Sequence, residues 1–390
     1  MPSLRRTVHV AVLTLLLTAL TPPPHGAARG SHRPPSTAER KKPMPTEDSR
    51  LLAGRRIVYS YHGPTPPPDL LRIIREGRAA GVILFGENTA PPAQLHDAVE
   101  KMRQAAAEAP GARPLLLMTD QEGGKVRRLT GEPVLSARNT GLAVHPVTAA
   151  ADSGAGAGRN LAAAGLNTNL APVLDVYDTP DNFIDHSERS YSQDPTVVAE
   201  LGAAFVTAQQ TLGVAATAKH FPGLGAAARD KNTDEGPVTL SVGLDELRSR
   251  GEAPYHAAIA AGVRLVMTSW AVYPALDAAH PAGLSRTVVQ GELRDRLGFD
   301  GVTITDAIEA GALDSYGDTP ARALAAAEAG MDLLLCSGRD VQQGEAAADA
   351  LAIALDSGHL SRAEFLEAVT RIDTLRASLG APLGAYPGGS

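Results

Sequence analysis

Several things are scarce in this chain, and each scarcity excludes a class of protein. One cysteine, Cys336, stands among 390 residues, so no intramolecular disulfide can form and stability must come from an apolar core. Cys336 sits in the apolar stretch Met331–Cys336 and reads as a small buried hydrophobe. Long Lys/Arg runs are absent and the formal net charge is -7, which argues against a nucleic-acid partner. There is no HExxH motif, no Cys cluster and no EF-hand loop, so no metal is expected. Gly123-Gly124 lacks the spaced glycines of a dinucleotide fingerprint, so it is not read as a dinucleotide-binding loop.

The long apolar run of a membrane span is also missing. Arg5 and Arg6 precede an apolar run from Val8 to Leu20, followed by Pro22–Pro24 and the small residues Gly26-Ala27-Ala28. This is the layout of a signal peptide over residues 1–28, and it implies a secreted protein. The run is short for a membrane anchor, the alternative reading, and no cysteine follows it to carry a lipid. Residues 29–50 are rich in Pro, Ser, Lys and Arg and read as a flexible lead. A Pro/Gly-rich tail occupies 381–390.

What remains is globular in composition, with 44% hydrophobic and 20% charged residues. Short β-branched runs alternate with Ala- and Leu-rich stretches. The strands predicted are Ile57–Tyr61, Gly81–Phe85, Pro114–Thr119, Thr168–Val173, Ala215–Lys219, Arg264–Thr268, Gly301–Thr305 and Met331–Leu335. Helices are predicted between them, among them Leu70–Arg78, Pro92–Glu108, Val197–Leu212, Leu244–Ala260, Val288–Leu297 and Ala321–Ala329. Such alternation gives an α/β fold with a parallel sheet, and eight pairs suggest closure into a single TIM-type (β/α)₈ barrel over 51–380. A doubly wound open sheet is the alternative.

In a parallel barrel the chemistry gathers at the carboxyl ends of the strands. The third run ends in Asp120-Gln121-Glu122-Gly123-Gly124-Lys125-Val126-Arg127-Arg128. The fourth leads to Asp175, the fifth ends in Lys219-His220-Phe221-Pro222-Gly223, the sixth reaches Ser269 and Trp270, and the seventh ends in Asp306. One such Asp is as well explained by helix capping. Five coincident strand ends, one carrying a Lys-His pair, favour a common site. Asp120, Arg189, Lys219 and His220 suit a neutral, hydroxyl-rich ligand such as a sugar, and Trp270 offers an apolar ring face if it reaches the rim.

The stretch from Leu51 to Leu375 resembles glycoside hydrolase family 3, in particular its NagZ-like β-N-acetylglucosaminidases. Four segments carry the resemblance: Thr119–Leu129, Ala218–Gly223, Ile304-Thr305-Asp306, and Glu188–Tyr191 followed by Asp194-Pro195. The resemblance implies a retaining reaction with Asp306 as nucleophile. It also implies that Asp120, Arg189, Lys219 and His220 hold a terminal N-acetylglucosamine, with no cofactor or metal. Cell-wall-derived, peptidoglycan-type fragments are the implied substrates.

The chain departs from that family at its acid/base. NagZ-like enzymes carry a second His after Lys-His-Phe-Pro-Gly and then an Asp-Ser-His element whose final His moves the proton. Here Leu224 stands at the first position, and no His occurs between His220 and His256. Ungapped alignment places Asp230 and Asn232 over the Asp and His, and an amide cannot act as a general acid. Alignment anchored on Gly236-Pro237-Val238 leaves Asp234 or Glu235 as a carboxylic acid in its place, which needs a raised pKa. The expected activity is an exo-acting β-N-acetylhexosaminidase, in a monomer. The alternatives are a β-glucosidase-like family 3 enzyme and a non-hydrolytic sugar-binding cell-wall protein.

Overall fold

The computed structural model describes residues 45–379. The expected signal segment 1–28, the tail 381–390 and most of the expected lead lie outside them. The end of that lead departs from expectation, because Glu47–Gly54 is a helix. Its N-cap Thr46 accepts from Ser49 N, and Asp356 fixes it from across the fold by accepting from Thr46 N at 2.6 Å and Ser49 Oγ at 2.5 Å. The partner that orders this segment is about 310 residues away, which local composition does not reveal.

Eight strands form the barrel: β1 (Ile57–Tyr59), β2 (Gly81–Ile83), β3 (Leu116–Thr119), β4 (Thr168–Asn169), β5 (Ala215–Phe221), β6 (Leu265–Thr268), β7 (Val302–Ala307) and β8 (Leu333–Leu335). They run parallel in chain order, and β8 returns to β1 with Val58 opposite Leu335. The closed barrel is therefore the fold, and the open-sheet alternative falls. Side chains alternate as the pleat requires. Val58, Leu265, Met267, Val302 and Ile304 pack inside the barrel, while Ile57, Tyr59 and Val266 face the surrounding helices. Seven strands are buried along their whole length; β7 alone surfaces, at its last two residues, Asp306 and Ala307.

The helices are started by local chemistry. Pro195 begins Pro195–Gln210, where its missing N–H is no loss, and the Asp194 carboxylate accepts from Thr196 N at 2.8 Å. Pro146–Ala163 packs against that helix closely enough that a Cβ on Gly154 would lie 2.3 Å from the Phe205 carbonyl oxygen. At the amino-terminal end of the barrel, fully buried Asp332 accepts from Arg294 Nη2 at 2.6 Å and Arg371 Nη2 at 2.9 Å. Nearby Arg56 donates to the Asp332 carbonyl at 3.1 Å, and its guanidinium is pulled down to about 10, chiefly by burial. None of the described helices is long and apolar enough to cross a membrane.

Candidate active site

The carboxyl ends of the strands open into a cavity of about 240 Å³. Its floor is the top of the barrel core, where Ile83, Leu170, Met267 and Leu335 close the interior. Polar groups from separate strands and loops rise around that floor: Asp120, Arg189, Lys219, His220, Asp234 and Asp306. Sequence reasoning named all six. Phe85 and Phe183 add aromatic wall.

The strongest electrostatic feature is a clamp built on Glu122, which sequence reasoning left without a role. Beyond β3 the chain turns back in a small hairpin, Gln121–Gly123 with Val126–Arg127. Alternation puts Asp120 and Glu122 on the same side of that segment. Glu122 accepts from Arg189 Nε and Nη2, each at 2.8 Å, and Lys219 Nζ lies 2.7 Å from both Glu122 Oε1 and Asp120 Oδ1. Burial alone would raise the Glu122 carboxyl, but the charges of Arg189 and Lys219 outweigh it and hold the group well below the usual carboxylate range. Burial would likewise lower the Lys219 ammonium, and Asp120 and Glu122 reverse that. Both cations stay charged and are held in place before any ligand arrives.

Asp175 does not line the cavity as expected. It is fully buried, with Oδ2 at 2.7 Å from His220 Nδ1 and Oδ1 accepting from Leu224 N at 2.7 Å. Its work is to orient His220, whose Nδ1–H points at the carboxylate and leaves Nε2 turned towards Arg189 Nη2 at 3.4 Å. Trp270 also differs from expectation. It is 1% exposed, its ring packs where a Cβ on Gly283 would fall, and its Nε1–H donates to the Ala307 carbonyl at 2.8 Å. An indole so enclosed presents no face to a sugar; it braces the backbone next to Asp306.

The loop after β5 places its candidate residues in different surroundings. Asp230 is exposed, pairs with Lys231 at 3.2 Å and stays out of the cavity. Asn232, Thr233 and Asp234 line it, and Glu235 does not. Asn232 shapes the turn: its Oδ1 accepts from Asp234 N at 3.0 Å and its Nδ2 donates to Glu235 Oε1 at 3.1 Å. Asp234 as a residue is exposed at the cavity rim. The protein packed around its carboxyl, and then the charge of Asp306, raise its pKa above the ordinary aspartate value. Leu224, in the place of the expected family histidine, is buried and forms part of the wall. Among the described residues no group of three or more His, Cys, Asp or Glu side chains is arranged to hold a metal ion.

A parallel barrel whose mouth gathers three aspartates, one of them with raised proton affinity, beside two fixed cations is compatible with a barrel glycosidase. Comparison with known proteins agrees. Residues 66–375 match the glycosyl hydrolase family 3 N terminal domain. The chain is 47% identical over 336 residues to an uncharacterized secreted glycosyl hydrolase of Arthroderma benhamiae, covering 86% of this chain and 95% of that one. It is 37% identical over 269 residues to a beta-hexosaminidase of Stenotrophomonas maltophilia, covering 67% and 77%. Among solved structures, a family 3 beta-N-acetylglucosaminidase from Paenibacillus superposes with a TM-score of 0.79 at 35% identity, covering 87% of this chain and 64% of that longer one. A beta-N-acetylhexosaminidase from Beutenbergia cavernae gives 0.76 at 32% identity, covering 84% and 98%. The chain belongs to glycosyl hydrolase family 3, and it is a glycoside hydrolase.

Proposed function

We propose that the protein is a secreted, retaining exo-β-N-acetylhexosaminidase that removes terminal β-linked N-acetylglucosamine, with cell-wall-derived, peptidoglycan-type fragments as its substrates. The observation that carries this reading is the shared cavity of Asp306 and Asp234, with the Glu122 clamp holding Arg189 and Lys219 beside them. A floor closed by barrel core, under a cavity of about 240 Å³, suits one terminal sugar ring rather than the middle of a chain. The hexosaminidase names borne by several relatives support the amino-sugar preference, and the secreted relative supports export.

In the first step an Asp306 carboxylate oxygen attacks the anomeric carbon while the Asp234 carboxyl gives its proton to the departing glycosidic oxygen. The C–O bond to the leaving group breaks, and an ester to Asp306 forms. In the second step Asp234, now ionised, takes a proton from water as that water attacks the same carbon and frees Asp306. Asp120, Arg189, Lys219 and His220 hold the ring hydroxyls. Because the clamp fixes them in advance, little reorganisation accompanies the build-up of charge at the ring. Asp234 is preferred to Glu235 as acid/base because it lines the cavity, and because the protein packed around its carboxyl, with the charge of Asp306, raises its proton affinity.

The test is to follow hydrolysis of an N-acetylglucosamine disaccharide and of aryl β-N-acetylglucosaminide and β-glucoside by proton NMR. The β-anomer of N-acetylglucosamine is expected as first product, with the β-glucoside turned over far more slowly. First appearance of the α-anomer would overturn the nucleophile, and preference for the glucoside would overturn the sugar.

A further inference from the structure

We infer that Gly311 is a positioning residue that latches the loop bearing Asp234 to the segment following β7, so that the proton-transfer group and the nucleophile share one rigid frame. The inference rests on the reading of Asp234 as acid/base. Two main-chain hydrogen bonds make the latch: Gly311 N donates to the Asp234 carbonyl at 2.9 Å, and Ala312 N donates to the Thr233 carbonyl at 3.0 Å. Asp306 lies a few residues before this segment on the same run of chain. The loop is held at its other end too, where Phe183 N donates to the Ala227 carbonyl at 3.2 Å and Asn182 Nδ2 to the Gly225 carbonyl at 2.7 Å.

The latch needs a residue without a Cβ at 311. An added Cβ there would lie 2.6 Å from the Glu235 carbonyl oxygen and 3.0 Å from that of Asp234. Both neighbours are backbone of the loop itself, so relief means moving the loop and Asp234 with it. Gly236 in the same loop is the natural control, since a Cβ there meets nothing within 4 Å.

The experiment compares Gly311→Ala, Gly236→Ala, Asp234→Ala and the double variant Gly311→Ala/Asp234→Ala. Each is assayed on an unactivated disaccharide and on a dinitrophenyl glycoside, with and without azide, an anion that attacks the glycosyl-enzyme without needing a base. Gly311→Ala is expected to lose about 10- to 100-fold in kcat on the disaccharide, part of the roughly 10²–10⁴-fold that a general acid supplies. On the dinitrophenyl substrate azide should restore its rate and yield a β-glycosyl azide. Gly236→Ala should stay within about threefold of the parent. In the Asp234→Ala background, Gly311→Ala should cause no further loss, because its effect runs through Asp234. Equal losses on both substrates with no azide rescue, or a further loss in the double variant, would overturn the latch while leaving Asp234 as acid/base. Failure of azide to rescue Asp234→Ala itself would overturn both the acid assignment and the latch built on it.

Discussion

Glu122 grips Arg189 at two points, Nε to Oε2 and Nη2 to Oε1, both at 2.8 Å. The pair is more than an ion contact, because the planar fork fixes the direction of the guanidinium as well as its distance. Replacing Glu122 with Gln keeps the shape and removes the charge. The expected result is a rise in KM of about tenfold or more, since a charge-assisted bond contributes about 1.5–3 kcal/mol. Steady-state kinetics on an aryl N-acetylglucosaminide checks it.

The same clamp has a pH signature. The folded Glu122 carboxyl is held below its unfolded value, so its stabilising contribution is complete above about pH 4.3 and fades as the pH falls towards the folded value. The Tm difference between the parent and Glu122→Gln should stay constant from neutral pH to about pH 5 and narrow in stronger acid. Thermal melts across that range read it directly.

Asp234 works in the opposite direction. Its carboxyl is raised in the fold, so a stability cost sets in as the pH rises through its unfolded value and is complete above its folded one. Asp234→Asn should therefore raise Tm at neutral pH while lowering kcat on an unactivated disaccharide by about 10²–10⁴-fold. It should also remove the alkaline limb of the kcat/KM profile, because the protonated form is the one that acts.

Trp270→Phe separates a brace from a binding surface. The indole is enclosed and donates to the Ala307 carbonyl. Losing that one hydrogen bond should lower stability by about 1 kcal/mol and leave KM for short substrates within about twofold. Chemical denaturation alongside kinetics distinguishes the two roles; a large rise in KM would restore Trp270 as a sugar contact.

At the far end of the barrel, Asp332→Ala should cost about 3 kcal/mol, because it leaves half-buried Arg294 and Arg371 without their shared, fully buried carboxylate. The kcat of the remaining folded enzyme should match the parent, since this cluster lies at the amino-terminal face, away from the cavity.

Much of this was legible in the sequence for one physical reason. Strands buried on both faces must be short apolar runs, so the polar residues that end them stand out, and Asp306, Lys219 and Asp120 were found that way. Direction was not legible. A tryptophan two residues beyond β6 has equal chemical reason to face the rim or the core, and packing against Gly283 turns Trp270 inward. Asp175 and Glu122 were obscured in the same manner, since each acts by holding a neighbour that is remote in sequence. Pro146–Ala163 went unmarked because its glycines argue against a helix locally, although Gly154 gives the close approach to Phe205 that the packing uses. The loop after β5 has no periodicity to fix its alignment, and only the fold shows that Asp234 lines the cavity while Asp230 stays out of it.

Asp306 and Asp234, the proposed nucleophile and proton donor, stand on different kinds of backbone, and this has a consequence for how such a protein can diverge. Asp306 ends a strand that is paired on both sides, so moving it would mean re-registering the barrel. The proposed proton donor, Asp234, rides on a connection whose two ends are pinned and whose middle, Ala228–Lys231, is exposed to water. Within such a connection a histidine can give way to a carboxylic acid, or an insertion can slide the donor by a residue, without disturbing any strand. Half of the reaction is therefore tied to the scaffold, and the other half is open to drift.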